Sequence, residues 1–299
     1  MELYLKLIDV ILPIYVIIGI GYYIGIKNPK FNTNFITNFA AKIGSPGMIF
    51  YTITTTGITL SLFIEYFIYA LIVITGFSIV GVFFLFILKK DFISELPPLI
   101  LPNTGNIGIP MCLFAFGEQG LGIASAIASV ILLLHFTLNI FLAKKDFSLS
   151  VLIKSMPFYA ILVSVVFLYF EWEVPGFIEN TTFLLTYATI FLVLMSLGIA
   201  LTRLKVVSWT NALLLGFVRV ILGPALGFLF IKYLNLTGIP AGVLLIQSAM
   251  PSAVLTYLVG SMYSKKRVVD NIASVIVTST LLSAFTVPIV VYFTLLYFQ

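Results

Sequence analysis

A chain of 299 residues that is 61% apolar and only 9% charged is not a water-soluble domain, because soluble proteins carry about 25% charged residues. Its single cysteine, Cys112, excludes an internal disulfide and any Cys-based metal cluster. The net charge of +5 suggests nucleic acid only until its placement is read, and that placement leaves no nucleic-acid partner expected.

The apolar runs are about twenty residues long, enough at about 1.5 Å per residue to cross a hydrocarbon core of about 30 Å, so they predict helices and not barrel strands. Spans are predicted at 7–26, 33–56, 64–88, 95–116, 119–143, 153–171, 181–202, 210–233, 239–262 and 271–297. The first is expected to be retained, since the segment up to Asp9 is as acidic as it is basic and no small-residue cleavage site follows. Loops one, three, five, seven and nine hold Lys27, Lys30, Lys89, Lys90, Lys144, Lys145, Lys154, Arg203, Lys205, Lys265, Lys266 and Arg267, against only Lys6 and Lys232 on the other side. Basic loops stay in the cytoplasm. The protein is therefore expected in the inner (plasma) membrane, multi-pass, with both termini extracytoplasmic.

Ten spans make two sets of five, and because five is odd, a second set that repeats the first must be inverted. The fold expected is all-α integral membrane, two inverted five-helix repeats at 1–145 and 146–299. Pro13-Ile14-Tyr15 near the start of the first half is matched by Pro157-Phe158-Tyr159 in the second.

The fourth helix of each half carries the chemistry. Helix four contains Pro102, Asn103, Thr104, Gly105, Asn106, Gly108 and Pro110, and helix nine contains Gln247, Ser248, Pro251 and Ser252. Pro110 has no N–H and its ring opposes the Asn106 carbonyl, so helix four is expected to break there. Pro251 does the same to helix nine. Freed backbone groups in a bilayer are tolerated only where protein or a wet cavity satisfies them. Matching breaks at similar depth in corresponding helices point to a substrate site, where half-helix amino ends favour an anion such as a carboxylate. Expected to bind substrate are Asn103, Thr104, Asn106, Gly108, Pro110, Gln247, Pro251 and Ser252, with Lys42 of helix two.

The run Asn103-Thr104-x-x-x-Gly108-Ile109-Pro110 resembles the Asn-Thr-x-x-x-Gly-x-Pro element of the auxin efflux carrier family, and Gln247-x-x-Met250-Pro251-Ser252-Ala253 resembles its second-half counterpart. Pro46 with Ile49-Phe50 and Ser196-Leu197-Gly198 also fit. That family includes plant auxin exporters of the PIN type and bacterial permeases for malate and malonate. The long central loop of the longer plant exporters is missing, so the chain resembles a bacterial or archaeal member. The resemblance implies a homodimer, a scaffold of helices one, two, six and seven, a moving transport domain of helices three to five and eight to ten, a substrate held where broken helices four and nine cross at midmembrane, and elevator-type carriage of small organic anions.

All eleven acidic residues fall in loops or near helix ends, so proton coupling through a midmembrane carboxylate is not expected. Sodium bound by carbonyls, amides and hydroxyls is left open, as is uncoupled transport; no other cofactor or metal is expected. The runner-up is a sodium-coupled organic-anion symporter of the bile-acid type. Lys42, deep in helix two, is expected at a cavity or an anion. His135 with Asn139 one turn on, and Arg219 in helix eight, are accessory candidates, each with a structural role as the competing reading. An intramembrane prenyltransferase needs clustered aspartates and a metalloprotease two histidines with an acid, and neither set exists. No enzyme is expected.

Overall fold

The computed structural model describes residues 2–146 and 149–298. Every regular element among them is a helix, and the sole β contact is an isolated antiparallel bridge between Pro102 and Ser252. The helices are α1 (Glu2–Lys27), α2 (34–54), α3 (Leu60–Ile87), α4 (Phe92–Ile100), α5 (Thr104–Lys144), α6 (Leu149–Ile153), α7 (Met156–Phe170), α8 (Gly176–Leu201), α9 (Trp209–Tyr233), α10 (Gly238–Ser248), α11 (Val254–Tyr263) and α12 (Lys266–Tyr297). Six of them, α1, α3, α5, α8, α9 and α12, are long and apolar enough to cross a membrane. The chain is a multi-pass membrane protein. The other expected spans fall on α2 and α7, and on the short helices α4, α10 and α11 that flank two interruptions.

Proline and glycine explain the irregular turns. Ahead of Pro46, α2 widens into a π turn at Ala40–Gly44, which eases the carbonyl that the ring would otherwise meet. Pro110 is handled in the same way. The expected break at Pro110 is not there: the π turn Thr104–Gly108 precedes it, Ile109 N–H bonds to Thr104 O, and the helix runs on. Pro110 sits where a helical run restarts, and there a missing N–H costs little. The helix is broken earlier, at 101–103. At Gly117 the backbone takes φ 65° and ψ −152°, a conformation reserved for glycine, and α5 bends at the boundary expected between spans four and five.

The helices fall into two groups that meet across a shared apolar core. In the first, α1 crosses α8 at backbone contact: a Cβ on Gly21 would lie 2.0 Å from Met195 O, and one on Gly198 would lie 2.0 Å from Ile18 O. Small residues permit such close helix approach in lipid. α2 packs on α7 and α8 beside them. In the second group, α9, α10 and α11 pack on α12, α4 lies between α3 and α12, and α5 lies between α3 and α10. A side-chain hydrogen bond joins helices of the two groups, from Tyr15 Oη on α1 to Ser283 O on α12 at 3.1 Å, and Tyr4 of α1 stacks on Tyr292 of α12 with ring centroids 5.8 Å apart. Tyr159, which the sequence matches to Tyr15, is exposed.

Candidate functional site: two interlocked helix interruptions

A helix ends badly when the N–H that its last carbonyls need is absent. The Pro98 carbonyl would bond four residues on, at Pro102, and the Gln247 carbonyl at Pro251; neither proline has an N–H. The two interruptions satisfy one another instead. Asn103 N–H donates to Pro251 O at 2.7 Å and Ala253 N–H to Leu101 O at 3.0 Å, forming the bridge. Ser252 Oγ donates to the stranded Pro98 O, and Ser252 N–H to Ser279 Oγ at 3.2 Å on α12. Met250 N–H reaches Gln247 O at 3.4 Å.

Arg219 supplies the remaining donors. Its guanidinium is 1% exposed and donates from Nε to Met250 O at 3.0 Å, from Nη1 to Leu99 O at 3.3 Å and from Nη2 to Ser248 O at 2.9 Å. The Phe77 ring covers Cζ at 4.6 Å, a cation–π contact. The carboxyl ends of α4 and α10 carry the negative pole of each helix. One fixed cation thus neutralises both.

The opposite poles border a cavity. It measures about 90 Å³ and is walled by Ser45, Met48 and Ile49 of α2, by Pro102 to Asn106 at the first interruption, by Ser125, Ser129 and His135 of α5, and by Ala253 and Leu255 at the second. Asn103 is 3% exposed, and its Nδ2 is buried without an acceptor. A second cavity of about 210 Å³ adjoins it, sharing Ser45, Asn106, Leu132 and Leu255, and continues past Thr37, Pro157, Ala200 and Leu258 toward the helix ends that join the basic loops.

A family model described as membrane transport protein matches residues 139–291, more than half of the chain. The chain belongs to that family, the one whose auxin-carrier motifs it bears. It is also 27% identical over 277 residues to an uncharacterized transporter of Methanocaldococcus jannaschii, covering 85% of this chain and 89% of that protein. The protein is thus a membrane transporter, not an enzyme.

In this transporter the candidate residues take different places. Asn103, Thr104, Asn106 and His135 line the cavity. Gly108 and Pro110 lie behind it, and Gly108 is a glycine for Gln247: an added Cβ would sit 2.2 Å from Gln247 Oε1. Gln247 itself faces away from the cavity, with Nε2 3.5 Å from Ala124 O and Oε1 buried without a partner. Pro251 and Ser252 build the bridge and do not line the cavity. Asn139 bonds His135 across 3.4 Å between Nδ2 and Nδ1. Arg219 is the clamp already described. Lys42 is exposed and lines neither cavity. Sequence reasoning passed over Ser45, and over Ser125 and Ser129, whose four-residue spacing in an apolar run was a readable signal for one polar helix face.

Proposed function

We propose that this transporter carries small carboxylate anions by alternating access of the elevator type. The observation that carries the reading is the buried, unpartnered Nδ2 of Asn103 on a cavity bordered by the amino ends of α5 and α11. The first N–H groups of a helix have no intrahelical partner and form its positive pole. Arg219 cancels the negative poles of the paired half-helices, so the net field at the cavity favours negative charge. An anion's oxygen is the acceptor Asn103 lacks.

In this reading the chain makes ten crossings in two inverted repeats, 1–145 and 146–299. α1, α2, α7 and α8 form the scaffold, and α3 to α5 with α9 to α12 form the moving body. The cavity lies between the two. Because it continues toward the basic-loop ends, which charge asymmetry puts in the cytoplasm, the conformation is the inward-open one, in a plasma-membrane protein with extracytoplasmic termini. A homodimer is the assembly that the family resemblance implies.

Uptake and counterflow in proteoliposomes against mono- and dicarboxylates, with sodium varied, test the substrate class. Asn103→Ala should weaken binding of the carboxylate so identified by about ten- to a hundred-fold, since a hydrogen bond to a charged group contributes about 1.5 to 3 kcal/mol. Thermal stability should stay near wild type. Wild-type affinity in purified Asn103→Ala would move the site elsewhere, and a sodium requirement would favour the bile-acid type of symporter.

A further inference from the structure

Near the basic-loop end of α4 lies a carboxyl group that the site does not use. Glu95 is 3% exposed, although its place in the first turn of a helix reads as solvated in the sequence. Asp91, not Glu95, caps that helix, accepting from Ile93 N–H at 3.3 Å and from Ser94 Oγ at 2.9 Å. Glu95 instead meets two amides of the neighbouring helices: Asn211 Nδ2 on α9 donates to its Oε1 at 3.0 Å, and Asn271 Nδ2 on α12 does so at 3.4 Å. Two oxygens are then left over. Glu95 Oε2 and Asn211 Oδ1 are both buried and both lack a partner.

These two atoms belong to groups already joined by one hydrogen bond, and as a carboxylate facing a carboxamide both are acceptors. A single proton on Oε2 turns one of them into a donor and closes a cyclic acid–amide pair. No cation forms an ion pair with Glu95 among the described residues. Charged groups on the elements around α4 are Lys90 and Asp91 ahead of it, Glu65 on α3, Glu118 and Lys144 on α5, Arg219 and Lys232 on α9, and Lys266, Arg267 and Asp270 on α12. The sole ion pair among the described residues is Lys144 with Asp146, and Arg219 is committed to three carbonyls. An unpaired buried carboxylate is far costlier than a neutral acid. The pole of α4 favours the anion, but that is the smaller effect.

We propose that Glu95 is a proton-binding site of the transporter, its carboxyl holding a proton on Oε2 that bonds to Asn211 Oδ1. Release breaks the Oε2–H bond and passes the proton to a water at the basic-loop side, leaving a carboxylate; uptake is the reverse. The coupling role rests on the moving-body reading, because a body that slides through hydrocarbon carries Glu95 with it and crosses more easily with the group neutral. The protonation itself does not rest on that reading.

Infrared difference spectroscopy of the purified, substrate-free protein tests the protonation. The expected result is a carboxylic-acid C=O band at neutral pH that is absent in Glu95→Gln, whose amide preserves the pairing and the fold, and shifted in Asn211→Ala. No band assignable to Glu95 would overturn the proposal whatever the protein carries. With labelled malate in proteoliposomes, an imposed pH gradient should change wild-type uptake and leave Glu95→Gln uptake unchanged. A Glu95→Gln protein with the wild-type pH response would remove the coupling role. Absence of malate uptake in the wild type would count against the carboxylate reading and leave the infrared result standing.

Discussion

The two helix interruptions are alike in sequence and unlike in what they expose. Each has a proline just past the end of its first half-helix, four residues after a carbonyl that needs its missing N–H, and each borrows hydrogen bonds from the other. Yet the first turns Asn103, Thr104 and Asn106 to the cavity, whereas the second offers it only Ala253 and Leu255 and turns Gln247, Ser248 and Ser252 inward. In the reading proposed above, the first half of the molecule holds the ligand and the second half holds the first. A repeated motif can thus keep its backbone logic while its side chains divide the work.

The sharpest way to break that division is at Arg219, the residue of the second half on which both interruptions hang. Arg219→Leu strands three buried carbonyls, at about 1–3 kcal/mol each. A stability loss of about 3 kcal/mol or more is expected, read as a fall in melting temperature of the purified protein; wild-type stability would mean that the bridge alone suffices. Arg219→Lys should fall between, because an ammonium lacks the planar fork. A smaller effect is expected where the halves interlock. Gly108→Ala should cost about 1–3 kcal/mol by crowding Gln247, and adding Gln247→Ala should recover most of it; independent, additive losses in the double-mutant cycle would show that the two do not touch. The smallest effect is expected at Lys42, whose replacement by Ala should change carboxylate affinity by no more than about twofold. A tenfold loss there would extend the site to α2.

How much of this was legible depends on what each residue needs. Helicity and the existence of two interruptions follow from local rules, since Pro102, Pro110 and Pro251 announce missing donors wherever they stand. The position of the first break was misjudged because the π turn ahead of Pro110 relieves it, while Pro102, lacking a cure within its own helix, does not escape. Lys42 was misplaced for another reason: hydropathy gives depth along a helix but not the direction a side chain faces. Arg219 could be recognised as buried and cationic, but its partners lie 29, 31 and 120 residues away, a separation no periodicity reports. Glu95 reads as a helix-end acid and becomes a buried one only because α9 and α12 close over it.

The hydrogen bond from Tyr15 to Ser283 O acquires a further meaning if the two helix groups slide past one another. A boundary made of apolar side chains offers no fixed stations, since one greasy contact is replaced by another of similar strength at every offset. A phenol gripping a carbonyl gives the track a notch. Leaving it costs about 1 kcal/mol, which weights the inward position roughly fivefold and leaves the passage itself within reach of thermal motion. Tyr15→Phe should therefore make the carrier rest less often facing inward without slowing its turnover, the behaviour of a detent and not of a lock.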